Sequence, residues 1–385
     1  MQAAATTPLI HWTEQGEERS ARWHSEAGMP PPKKVIVADD TTNADTAYRL
    51  ACEGTALLWR GDFHNARQLL QALARRADHK HGKGKKKAPK VPATPAEAFH
   101  LHRQAQSQRA RTLAMLLIPF EPGYEIPLRR APDVRLACNE AYGRGEDAFV
   151  ISLRELQGLV GAHEWRKNGV EIPALGARIH PHYGVFSPVR GEYVQLVAEA
   201  PLPRGANTLA FDIGAGTGVL AAVLAQRGVE RVIATDMDRR ALSCARDNIV
   251  RLELDEQVEL MEADLFPPGR AALVVCNPPW VPARPASSIE HAVFDPDSRM
   301  LKGFLAGLKD HLTEGGEGWL ILSDLAEHLG LRPRAQLLEW IDQAGLKVLD
   351  RADVRPTHPR ATDETDPLHA ARSAELTSLW RLAAA

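Results

Sequence analysis

Asn277, Pro278, Pro279 and Trp280 close the apolar run Val274-Val275-Cys276, and their types suit one kind of chemistry. Proline has no N–H for a sheet ladder and breaks a helix interior, so a strand ends here. The turn then displays one primary amide, two proline carbonyls and an indole. Nitrogens attached to a π system are poor nucleophiles because their lone pair is delocalised. Two acceptors at fixed separation, the Asn277 side-chain oxygen and the Pro278 carbonyl, can take both N–H bonds of such a group and favour a more pyramidal nitrogen. Proline stiffness holds these acceptors in place before substrate arrives. Trp280 can stack on the flat group and exclude water. The nitrogen acidifies as it becomes positively charged, so no strong general base is required, and none is evident.

A second constellation lies upstream. Asp212-Ile213-Gly214-Ala215-Gly216-Thr217-Gly218 joins an apolar run, Leu209-Ala210-Phe211, to a helical pattern over Thr217 to Arg227. Glycines let backbone approach a ligand closely, and helix N-terminal N–H groups favour a carboxylate or phosphate. Thr235-Asp236-Met237-Asp238 ends the next strand, and Asp236 can accept the two hydroxyls of a ribose. Glu262-Ala263-Asp264-Leu265-Phe266 ends a third strand, where Asp264 can receive an adenine amino group. A nicotinamide-type G-x-G-x-x-G loop would need a small residue at 219, where this chain has Val219.

The order Asp-x-Gly-x-Gly-x-Gly, acidic strand end, Asp-Leu, Asn-Pro-Pro-Trp resembles the class I S-adenosylmethionine-dependent methyltransferases over about residues 180–385. The resemblance implies S-adenosyl-L-methionine as cofactor. It places Asp212, Gly214, Ala215, Gly216, Thr217 and Gly218 at its methionine part, Asp236 at the ribose, and Asp264 with Leu265 at the adenine, and it counts Met237 and Asn277 among the cofactor-binding residues. It further implies a seven-stranded Rossmann-like sheet closed by an antiparallel pair. The motif Asn277-Pro278-Pro279-Trp280 is similar to that of amino-methyltransferases acting on adenine N6, guanine N2 of ribosomal RNA, or glutamine N5 of proteins.

Residues 183–193 bear on the substrate. Gly184-Val185-Phe186-Ser187 resembles the segment before the catalytic domain in ribosomal guanine-N2 methylases, and Pro188-x-Arg190-x-Glu192 resembles, more loosely, an element of the glutamine methylases. Both families carry this segment across the substrate mouth, which makes Phe186 and Arg190 candidate substrate contacts. The leading expectation is a nucleobase amino group of RNA, ribosomal RNA above all. A protein glutamine amide is the alternative, and a non-catalytic RNA-binding scaffold with a relict cofactor fold is a third reading.

These residues need elements to position them. From about residue 205 strands alternate with helices, the pattern of a doubly wound α/β sheet. Upstream, Ala47, Leu50, Ala51, Gly54, Leu57 and Leu58 recur at helical spacing, and a second helix carries Phe63, Ala66, Leu69, Leu70 and Leu73. This pair is similar to one tetratricopeptide unit, without a second copy. The expected organisation is a flexible arm over 1–34, a mainly helical accessory domain over 35–178 with a disordered basic loop at 79–92, a connecting segment over the active site at 179–204, and the methyltransferase domain over 205–385. The lysine-rich loop could draw the protein to RNA or the ribosome, and Arg332 and Arg334 around Pro333 could meet phosphate or simply start a helix.

Composition narrows the classes. The chain has 385 residues, 44% hydrophobic and 25% charged, with a net charge of −2 that offers no global pull on nucleic acid. No apolar run approaches the ~20 residues of a membrane helix. The four cysteines have no C-x-x-C spacing and read as reduced thiols, not a metal site, consistent with a cytoplasmic location.

Overall fold

The computed structural model describes residues 8–78, 92–285, 288–357 and 362–385. Most of the expected basic loop at 79–92 lies outside these residues. The chain divides into two units: unit 1 comprises residues up to 91 and 101–164, and unit 2 comprises 92–100 and 165–385.

Unit 1 departs from the helical expectation. Its strands are β1 (Leu9–Glu14), β2 (Glu17–Trp23), β3 (Lys34–Ala38), β4 (Thr55–Trp59), β5 (Leu116–Phe120) and β6 (Phe149–Ser152), in one sheet of order β1-β2-β6-β5-β4-β3. Helices α1 (Ala44–Cys52), α2 (Phe63–Asp78), α3 (Pro95–Leu113), α4 (Arg135–Tyr142) and α5 (Leu153–Asn168) are interposed or follow. The expected first helix stops at Cys52 because Gly54 takes φ +82°, and Thr55–Trp59 then runs as a strand buried at every position. An apolar run buried on both faces fits helix and strand periodicity alike. The segment read as a flexible arm contains the β1–β2 hairpin, whose Gln15-Gly16 turn has positive φ at both residues, as the two-residue hairpin requires. Its charged, exposed strand β2 gives no apolar alternation to read.

Unit 2 starts earlier than residue 205. The hairpin β7 (Val170–Ile172) and β8 (Ala177–Ile179) and helix α6 (Glu192–Glu199) bury Ile172, Ile179, Tyr193, Val194 and Val197 in the same core as the strands that follow. Residues 179–204 are thus partly a packed layer of the domain and not only a connection. The strands β9 (Ala210–Ile213), β10 (Val232–Asp236), β11 (Val258–Glu262), β12 (Ala271–Cys276), β13 (Leu312–Ser323), β14 (Leu346–Val354) and β15 (Thr377–Ala384) form one sheet of order β11-β10-β9-β12-β13-β15-β14. The five strands β9 to β13 pair in parallel, and β15 is antiparallel to both its neighbours. Helices α7 (Val219–Gln226), α8 (Arg239–Arg251), α9 (Arg299–His311), α10 (Leu325–His328), α11 (Arg334–Gln343) and α12 (His369–Ala374) connect them.

Side chains alternate between the two faces of a strand. Leu273 and Val275 of β12 join the core of α6 and α7, whereas Val274 and Cys276 join that of α9 and α11. Burial on both faces explains why these strands read as unbroken apolar runs. The chain proceeds outward from β9 through β10 to β11, then returns to place β12 on the other side of β9. Ligands of open α/β sheets bind at the carboxyl ends of the strands where the order reverses in this way.

Candidate active site

The register of β9 and β12 brings the two sequence constellations together. Cys276 pairs with Ile213, so the Gly214 loop and the Asn277 turn leave the sheet side by side, at the ~4.8 Å spacing of neighbouring strands.

On the glycine side, Gly214, Gly216 and Gly218 have φ of +82°, +53° and +79°, values that other residues rarely adopt. A Cβ at Gly214 would lie 2.7 Å from Met300 Cε. The loop is anchored to the end of β10. The Gly214 and Ala215 N–H groups donate to the Thr235 carbonyl at 2.9 and 2.8 Å, and Gly216 N–H donates to Asp236 Oδ2 at 3.0 Å. The other Asp236 oxygen accepts from Asp238 N–H at 2.9 Å. Asp236 is half-buried, and that burial raises its pKa.

Asp212 lies beneath the loop at 1% exposure, where its Oδ2 accepts from Ala221 N–H in the first turn of α7 at 3.0 Å. Its Oδ1 is buried with no hydrogen-bond partner. Desolvation pushes the carboxyl up to about 7, with the neighbouring Asp236 charge adding to it. An orphaned carboxylate oxygen under an open glycine cradle fits a ligand bearing a cationic amine. Thr217 is buried, and its carbonyl accepts from Asn248 Nδ2 at 3.1 Å. Met237 is 64% exposed. Leu265 takes φ +77°, and its carbonyl is bound by the Thr235 hydroxyl. Asp264 pairs with Arg299 at the surface, where both are half-exposed or more.

On the Asn-Pro-Pro-Trp side, Trp280 Nε1–H donates to Asn277 Oδ1 at 2.8 Å. The Asn277 oxygen therefore has one lone pair engaged and one to offer. Pro278 is buried, and its carbonyl accepts no hydrogen bond among the described residues. The Trp280 ring is partly buried and packs against both sheet cores. Arg190 does not stand free as a substrate contact: its guanidinium lies over the Trp280 ring, 5.1 Å from the centroid, and pairs with Glu192 at 2.9 Å and Glu375 at 3.1 Å. Phe186 is 37% exposed in the preceding loop.

Glu375 and Asp295 had not been marked as site residues by sequence, and Arg332, a candidate phosphate contact or helix start by sequence, is instead buried. Glu375 is buried and accepts from the Ser323 hydroxyl at 2.6 Å. Asp295 is buried and caps α9, its two oxygens accepting from Met300 and Leu301 N–H. It follows the turn through the bond from Asp295 N–H to the Val281 carbonyl at 2.9 Å. Just after it, Asp297 and Ser298 both take positive φ, a strained pair at the entry to α9. Arg332, 2% exposed, reaches the Trp280 carbonyl at 3.4 Å. The Asp-Pro-Asp-Ser stretch at 295–298, polar and close to a helix start, is the one signal that could have exposed Asp295 as a cap.

The chain is similar to known methyltransferases. Residues 176–334 match the family model of the methyltransferase small domain. The tRNA1(Val) (adenine(37)-N6)-methyltransferase of Shewanella loihica is 30% identical over 202 residues, 49% of this chain and 79% of that protein. The chain belongs to the class I S-adenosylmethionine-dependent methyltransferases. Another methyltransferase, the release factor glutamine methyltransferase of Cereibacter sphaeroides, is 36% identical over 139 residues, 35% of this chain and 46% of that protein. A putative protein N5-glutamine methyltransferase of Methanocaldococcus jannaschii is 26% identical over 164 residues, covering 40% and 80%. The chain thus spans about half the length of the Cereibacter protein. Among the described residues, no helix is long and apolar enough to cross a membrane.

Proposed function

We propose that unit 2 transfers a methyl group to a planar amino or amide nitrogen, and that the substrate is an exocyclic amino group of a nucleobase in RNA. The observation that supports the reaction type is the register of β12 against β9, from which the Asn277-Pro278 turn, bearing two polar acceptors, and the glycine loop leave adjacent strands.

S-adenosylmethionine, when bound, supplies an electrophilic methyl on a sulfonium. The residues that would hold it are Asp212 and the Gly214–Gly218 loop for the amino-acid end, Asp236 for the ribose, and Met237, Asp264 and Leu265 for the adenine. Met237 offers exposed apolar surface to a flat ring. Asp236 keeps lone pairs for hydroxyl donors beyond the two backbone groups it already accepts from.

Asn277 Oδ1 and the Pro278 carbonyl bind the two N–H bonds of the substrate and orient its nitrogen. As the nitrogen gains positive charge its protons acidify, these same acceptors carry the developing charge, and one proton passes to solvent water to leave the neutral product. Because they sit on a strand end and a proline pair, they need little reordering. Asp212 is buried beneath the loop and is not placed to serve as a base for the substrate.

RNA is favoured by the Shewanella relative, a tRNA adenine-N6 enzyme by its name, of which the chain covers 79% at 30% identity. A protein glutamine amide is the second reading, favoured by the 36% identity to the release factor enzyme. Both nitrogens present the same flat –NH2 to the site. Incubation with cell extract and donor carrying a labelled methyl separates them. Label lost to ribonuclease and retained after protease supports RNA, and label lost only to protease overturns it.

A further inference from the structure

We infer that Trp280 is an amide-orienting residue: its indole N–H selects the rotamer of the Asn277 side chain that presents an oxygen to the substrate, and Arg190 holds the ring in place to do so. This rests on the reading that Asn277 grips a planar nitrogen.

A primary amide can turn over by 180°, exchanging its acceptor oxygen for a donor –NH2 at nearly the same position. An unrestrained asparagine at a strand end could therefore meet the substrate with either group. The wrong one would set donor against donor and would welcome a keto oxygen instead of an amino group. The indole Nε1–H resolves the choice because it is a donor with no acceptor alternative. It sits 2.8 Å from Asn277 Oδ1. Turning the amide over would place Nδ2–H against Nε1–H, with a partly buried donor left unsatisfied.

The selection works only if the ring cannot swing away, and a chain of contacts leading to Trp280 opposes that. The Arg190 guanidinium covers the ring 5.1 Å from its centroid. Arg190 is itself pinned by two carboxylates, Glu192 at 2.9 Å and the buried Glu375 at 3.1 Å. Glu375 is tied in turn to Ser323 at the end of β13 by a 2.6 Å hydrogen bond. At the backbone, Arg332 reaches the Trp280 carbonyl at 3.4 Å. A planar, always-charged fork suits this place, as lysine could not stack on the ring and bridge two carboxylates together. Arg190 is thus a positioning residue, acting through Trp280 and Asn277. The consequence is specificity for N–H donors: an amino or amide nitrogen is accepted and a carbonyl at the same point of a base is refused.

The test reads the bond directly. In full-length protein labelled with 15N in its 8 tryptophans, the Trp280 indole signal is assigned by its loss in Trp280→Phe. Its N–H exchange with solvent should be slow. Asn277→Ala and Arg190→Ala should each speed it about tenfold or more, and Asn277→Asp should not, since a carboxylate still accepts. In turnover, Trp280→Phe, which keeps a ring and loses the N–H, should lower kcat about tenfold with donor affinity within about threefold. In an Asn277→Asp background the same change should cost less than about threefold, because a carboxylate offers oxygen in both orientations.

Equal costs in the two backgrounds, or an exchange rate untouched by Asn277→Ala, overturn the inference. If Asn277→Asp is inactive, the exchange rates decide alone. If the exchange pattern holds while no methylated nitrogen is ever found, it is the N-methylation reading that fails.

Discussion

Replacing Asp212 by asparagine should uncouple the stability of unit 2 from pH. In the fold this carboxyl titrates at about 7, against an ordinary 3.8, because burial disfavours its charge. Between those values the folded chain holds a proton that the unfolded chain has released. Stability contributed by this group is therefore complete below about pH 4, is lost as pH rises toward 7, and levels off above. About three pH units at roughly 1.4 kcal/mol each amount to on the order of 4 kcal/mol over the whole window. The side-chain amide of the Asp212→Asn variant would keep an oxygen for the Ala221 N–H, now held by Asp212 Oδ2 at 3.0 Å, and would carry no charge at any pH. Urea unfolding at about pH 5.5 and about pH 8 would be compared for the two proteins. Their difference cancels the titration of the 15 histidines. Over the roughly 1.5 units of that interval below pH 7, wild type should lose about 2 kcal/mol relative to Asp212→Asn. Parallel pH profiles would refute the argument that Asp212 is strained by burial with one orphaned oxygen.

Three other outcomes follow from the same structure. Gly214→Ala forces a side chain onto φ +82° and sets its Cβ 2.7 Å from Met300 Cε; the backbone cost of about 1–2 kcal/mol should weaken cofactor binding about tenfold by calorimetry. Asn277→Ala should abolish nearly all methyl transfer while the donor dissociation constant changes less than about threefold, since the glycine loop is untouched. In unit 1, the buried Asp62 accepts from Arg129, Arg130 and the His64 N–H, and the arginines hold its carboxyl down to about 2. Its stabilisation is present above about pH 4 and lost as pH falls toward 2, so Asp62→Asn should lower stability at neutral pH and flatten the acid limb of the unfolding curve.

How much of this was legible depended on the range of the interaction involved. Asn277-Pro278 could be located because proline ends a strand wherever it falls, and the glycine loop because positive φ selects glycine at 214, 216 and 218. The central parallel strands β9, β10 and β12 were readable because burial on both faces leaves apolar runs between helices. Unit 1 was misread for the same reason: Thr55–Trp59 is buried throughout, so its Leu57 and Leu58 completed a helical pattern begun by Ala47. Strand β2 escaped notice because its residues are mostly exposed and charged. The Arg190–Glu375 pair joins residues 185 positions apart, and no local pattern announces it. Arg190 was thus legible as a candidate near the substrate, while its stacking on Trp280 was not.

The most direct test of N-methylation at the Asn277 turn is the chemical identity of the product. RNA treated with the protein and donor bearing a deuterated methyl would be digested to nucleosides and resolved by mass spectrometry. A deuterated methyl on an exocyclic base nitrogen, absent with Asn277→Ala, is the predicted result. A methyl on a ring carbon or ribose oxygen, or the same nitrogen product from Asn277→Ala, would contradict it.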